Sequence, residues 1–188
     1  MYKGVSNVFA KYWRAYGGVS ALLCSPYLHI AVAILLPLTY HTWSKCDWWS
    51  DPMAALPNLL GFTLAGLAMS IGFGDDKFRA LLAEPDADSK KPSAYVAMSS
   101  TFVHFIVVQI LALVYAVAAK GLWFYAEWMD PFRSALPMAN QIGGGIGYAL
   151  FLYALTSVLA ATMAVFRIAS IYEAYQRKVV AEHNADSK

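Results

Sequence analysis

A catalytic or metal site in this chain would have to be built from four histidines, two cysteines and twelve acidic residues. His29, His41, His104 and His183 stand at no metal-ligand spacing from a cysteine or a carboxylate. The glycine-rich run Gly143-Gly144-Gly145-Ile146-Gly147 follows no strand and precedes no lysine or acidic partner, so it reads as a packing or hinge segment rather than a phosphate cradle. Arg177 and His183 fit the loose Arg-spacer-His pattern of certain ribonuclease domains, a match that chance supplies in a chain with this many arginines and histidines. With no nucleophile beside a base, no ligand cluster and no phosphate loop, the chain is not read as an enzyme and no cofactor is expected.

The other chemistry open to these residues is that of polar groups inside a membrane, where an unpaired polar side chain is costly and marks either function or a helix contact. His104 and Gln109 lie in the middle of a long uncharged stretch. Five residues separate them, about 140° around a helix, so they cannot share one narrow face. A neutral His104 bonded to a neighbouring helix is the simpler reading, and a proton or pore site the sharper one. Asp75 and Asp76 follow the second apolar run. In a ring of subunits they would form a circle of carboxylates attractive to cations; in a single chain they are part of a solvated connector.

These positions make sense only in a bilayer. Of the 188 residues, 59% are hydrophobic and 14% charged, against roughly 25% charged in a soluble domain. Four runs, 25–43, 56–74, 93–119 and 140–166, contain no Asp, Glu, Lys or Arg, and about 20 apolar residues suffice to cross the hydrocarbon layer. The expected fold is therefore all-α: a polytopic membrane protein with four transmembrane helices in one domain over residues 1–188. The lack of any ionised residue in a run argues against a proton pump, an ion-coupled transporter or a voltage sensor. Small residues let membrane helices approach closely, and Gly66, Ser70 and Gly74, then Gly143, Gly147 and Ala160, are the candidates for contacts within the bundle or between subunits.

Orientation follows from the basic residues. Of the 14 Lys and Arg, eleven fall in the N-terminal segment, the loop after the second run and the C-terminal tail, which places these on the cytoplasmic side of a bacterial inner membrane. Trp43, Trp48, Trp49, Trp123 and Trp128 gather at the opposite interface. Cys24 and Cys46 then lie on opposite sides and cannot pair within one chain; Cys46 is a free thiol or a bridge between subunits. No cleaved signal peptide is expected, because Val19 to Leu23 is too short an apolar core.

Three cytoplasmic features follow. Residues 1–18 form an amphipathic helix, with Val5, Val8, Phe9, Tyr12, Trp13 and Tyr16 on one face and Lys3, Asn7, Lys11 and Arg14 on the other. It lies in the inner headgroup layer or packs against the other cytoplasmic helices, and Gly17-Gly18 is its hinge. Asp75 caps a short helix reaching Leu82, and 84–92 is an exposed turn. Beyond the fourth run a helix over 167–183 carries an Ile168, Ile171, Tyr172, Tyr175, Val179 stripe that needs a partner, while 183–188 are expected to be frayed.

The segment Leu56-Pro57-Asn58-Leu59-Leu60-Gly61-Phe62-Thr63-Leu64-Ala65-Gly66, with Gly72-Phe73-Gly74-Asp75-Asp76-Lys77-Phe78, resembles small four-span bacterial inner-membrane proteins encoded beside anti-phage genes. The plan is similar to the membrane effector of the Hailong defence system and, less closely, to the membrane subunit of Kiwa. The resemblance implies a homo-oligomeric channel, a tetramer or other ring, whose opening halts the infected cell. It further implies a cytoplasmic defence partner or oligonucleotide ligand, for which Lys77, Arg79, Tyr172, Tyr175, Arg177 and Lys178 are candidate contacts. Two functions are thus expected: a pore gated by His104, Gln109, Asp75, Asp76 and the Gly17-Gly18 hinge, or a non-conducting membrane anchor that docks a soluble partner on its cytoplasmic helices.

Overall fold

A computed structural model describes residues 2–45, 47–84, 92–124 and 134–186, and among these every regular element is helical. Cys46, most of the turn expected over 84–92, and Trp128 lie outside the described residues. Three helices are long and apolar enough to cross a membrane: α6 (Ser50–Gly72), α8 (Ala94–Gly121) and α9 (Leu136–Asp186). Leu-, Ala- and Val-rich sequence without charge takes this form because in hydrocarbon each backbone amide must be satisfied inside its own segment. The three pack on one another, α6 and α9 each against α8 and also against each other.

The packing is built on small residues. Ala112, Ala116 and Ala154 are buried between the helices, and α9 presents Gly144 and Gly147 to the tryptophan-bearing end of the bundle. A methyl group on Gly147 would stand 2.1 Å from the Trp48 ring, and one on Gly144 would stand 2.6 Å from the Trp43 carbonyl. Lipid offers no hydrophobic drive for helices to associate, so this close fit is what holds them. Trp48, read from sequence as an interfacial anchor, is only 2% exposed and serves as a wedge into the glycine face of α9.

The first apolar run is broken. In place of one helix over 25–43 there is a shorter apolar stretch, Pro26–Leu38, composed of α3 (Pro26–His29), a π-helical turn (Ile30–Leu35) and α4 (Leu36–Leu38), followed by α5 (Tyr40–Trp43). Pro37 has no N–H and crowds the preceding turn, and the wide π turn absorbs that conflict. Side chains add bonds at the end of this stretch: Thr39 Oγ1 donates to Leu35 O at 2.8 Å, which also accepts the Thr39 amide, and Trp43 Nε1 donates to Leu36 O at 2.8 Å. This stretch lies along α9. Its first turn starts part-way down the bundle, since the Tyr27 carbonyl accepts a hydrogen bond from Thr156 Oγ1 in the middle of the uncharged run of α9.

Two ends differ from the sequence expectation. The helix expected from Pro57 begins at Ser50, with Pro52 in its first turn and Pro57 accommodated inside. At the other terminus α9 runs unbroken to Asp186, so His183 to Asp186 are helical rather than frayed. The segment Val179-Val180-Ala181-Glu182 has no Gly or Pro to stop propagation of a helix already long. At 51 residues α9 measures about 75 Å, more than twice the roughly 30 Å hydrocarbon layer.

Candidate functional site

The N-terminal helix α1 (Tyr2–Tyr16) packs on α8. It is amphipathic, as its sequence pattern requires. Its apolar residues meet Val103, Val107 and His104, which straddle the midpoint of the uncharged run 93–119. His104 is the node of this contact and is 3% exposed. Its Nδ1 lies 2.9 Å from the Tyr12 hydroxyl and its Nε2 lies 2.9 Å from the Tyr153 hydroxyl of α9. A neutral imidazole has one N–H donor and one bare nitrogen, so it accepts from one tyrosine and donates to the other. The Tyr16 ring stacks on the imidazole, with centroids 3.8 Å apart and planes 14° from parallel. One histidine thus ties together α1, α8 and α9.

The other face of α1 carries Lys3, Lys11 and Arg14, all exposed. Lys11 adjoins the very tyrosine that bonds His104. On the apolar side Val5 is 68% and Val8 70% exposed, so this chain alone leaves part of that face open too. Gly17 and Gly18 join α1 to α2 (Gly18–Leu23) with φ of +106° and +65°. That left-handed geometry is natural to glycine and strained for any other residue. The hinge reading of these two positions is therefore compatible with the backbone they adopt.

Gln109 turns the opposite way from His104. It is wholly buried against α6, where its Nε2 donates to Thr63 Oγ1 at 3.0 Å. Thr63 in turn donates to the Leu59 carbonyl at 2.8 Å. The Gln109 Oε1 has no partner among the described residues. Gln109 and His104 are thus interhelical polar contacts inside one chain, on different sides of α8. Gly66 and Ser70 also face α8 or their own helix: a methyl on Gly66 would stand 3.3 Å from the Phe102 ring, and Ser70 Oγ donates to Gly66 O at 2.7 Å. Gly143 O accepts from the Tyr115 hydroxyl at 3.2 Å, and Ala160 is buried beside Phe102 and Phe105.

At the far end from the tryptophans, Gly74 at φ +83° turns the chain into α7 (Asp76–Ala83). Asp75 caps it, its Oδ1 accepting from Phe78 N at 2.7 Å. Asp76 pairs with Arg79, and Arg177 with Glu173. Both carboxylates of the expected ring therefore have local partners, one a cap and one an exposed ion pair. Phe78 is fully buried, with ring centroids 5.0 Å from Tyr172 and 5.4 Å from Tyr175. Tyr172 and Tyr175 of the stripe on α9 thus meet α7, while Ile171 and Val179 stay exposed. Desolvation against this cluster, and then the Asp75 carboxylate, push the Tyr175 phenol above its ordinary range. Lys77 and Lys178 stay exposed.

Sequence reasoning located His104 but not the tyrosines that hold it. Tyr12 and Tyr16 stood out only as members of an apolar stripe, and Tyr153 carried no signal. A phenol is a polar handle on an apolar body, so tyrosines at helical spacing opposite a buried histidine were the clue available. Comparison of the chain with protein families, curated proteins and solved structures finds no match.

Proposed function

We propose that this protein is a homo-oligomeric pore of a bacterial inner membrane, with its C-terminal tail in the cytoplasm, lined in part by the polar face of α1. The observation that carries this reading is the placement of α1. Its exposed Lys3, Lys11 and Arg14 belong to a helix seated at the middle of the uncharged run of α8. Each Lys or Arg facing hydrocarbon at that depth costs about 2.5–3.5 kcal/mol on insertion scales, so three approach the whole stability of an ordinary domain. Water along that face removes the cost, and a ring of copies with α1 turned inward supplies it. Basic linings of this kind favour anions. Movement of α1 about Gly17 and Gly18, held shut by a cytoplasmic ligand, is the gate in this reading, so protein purified free of that ligand conducts. The resemblance of residues 56–78 adds the setting, anti-phage defence.

The test is planar-bilayer recording of the purified protein with its oligomeric mass measured in the same preparation. Unitary currents from an oligomer of defined mass are expected. A silent oligomer of defined mass would overturn the pore and favour the membrane anchor, whose partner would dock on the distal part of α9, where Val179 and Val180 are exposed.

A further inference from the structure

The broken first run leaves a gap on the α7 side of the bundle. Pro26–Leu38 begins only at the level of Thr156, so no membrane-length helix fills the space beyond it between α8 and α9. The result is a cavity of about 520 Å³, within the roughly 300–1,000 Å³ of small-molecule sites. Met98 and Phe105 of α8 and Ala160, Met163 and Ala164 of α9 supply apolar wall. Tyr16, Ala21 and Cys24 close one side, and Ser25 and Thr101 add polar atoms to the lining. The depth of the cavity is that of the acyl chains of the adjoining leaflet.

Arg167 stands where this cavity meets the end of the uncharged run. It is the first charged residue of α9. Arg79 and Arg177 each hold a carboxylate, whereas Arg167 makes no ion pair among the described residues. A guanidinium at headgroup depth, with its forked donors uncommitted, matches a phosphate above an apolar slot. The geometry points to a site for a phospholipid, its acyl chain in the cavity and its phosphate on Arg167. The site depends on the chain lying in a membrane and not on the pore, so the two stand or fall separately.

Native mass spectrometry of the detergent-purified protein tests it, with phosphatidylglycerol and the phosphate-free diacylglycerol of identical chains as probes. Wild type is expected to retain phosphatidylglycerol roughly tenfold better than diacylglycerol, the scale of one charge-assisted contact. Arg167→Gln should erase that preference while leaving chain binding. Ala164→Phe, which fills the slot, should reduce retention of both lipids. Equal retention of the two lipids by wild type, or unchanged preference in Arg167→Gln, would overturn the site. So would binding of palmitate without phosphatidylglycerol. Arg167 is exposed and outside the packed core, so its variant keeps the test decisive if Ala164→Phe does not fold.

Discussion

The tryptophan end and the α7 end of the bundle are made from the same kinds of residue and packed in opposite ways. At the first, Trp48 is driven against Gly147 and the Trp43 backbone against Gly144, with no room for a methyl group on either glycine. At the second, α8 and α9 carry comparable Ala and Met residues around a cavity of about 520 Å³. The difference lies in what meets the small residues. A glycine face facing a large rigid ring becomes a joint; an alanine face facing a helix that starts too late becomes a vacancy for lipid. Stability is thereby concentrated at one end, and room for movement of α1 and for ligands at the other.

Substitution at the joint should show the largest effect. Gly147→Ala would ordinarily gain up to about 1 kcal/mol in helix propensity, but the clash with Trp48 should reverse the sign, for a net loss of about 2–3 kcal/mol by detergent unfolding. A neutral result would break the comparison. Next comes His104, which lies between the ends. His104→Phe deprives two tyrosine hydroxyls of their partner and should cost about 1–2 kcal/mol, given that one is buried; equal loss in Tyr12→Phe and in the double variant would show that the pair acts as a unit. At the loose end Ala164→Leu has space to enter and should change stability by less than about 1 kcal/mol.

The smallest effect concerns pH. The Tyr175 phenol is raised in the folded protein, so its neutral form supports the fold. That support is complete below the ordinary tyrosine value of about 10 and is lost as pH rises through the higher folded value. A Tm that falls in alkali for wild type, and falls less for Tyr175→Phe, is the expected outcome.

Much of this was legible before the structure. Charge-free runs mark α6, α8 and α9 because hydrocarbon excludes ionised side chains, and Asp75 just after Gly74 signals the cap of α7 because a short carboxylate there can accept the free amides of the first turn. The broken run over 25–43 was not legible. Hydropathy reports that a segment avoids water, whereas the π turn answers to Pro37, which lacks an amide and crowds the turn before it. The seat of α1 was hidden for a related reason. Amphipathicity reveals that one face is apolar, and only the tyrosine bonds to His104 say that this face meets the middle of a membrane helix rather than its edge.

The account turns on whether the basic face of α1 borders water that ions cross. Recording from oligomers of the Lys3→Glu, Lys11→Glu, Arg14→Glu triple variant beside wild type addresses it most directly. In a potassium chloride gradient the wild-type reversal potential should lie towards chloride and that of the triple variant should move towards potassium. Unitary currents with the same reversal potential in both proteins would contradict a pore lined by α1.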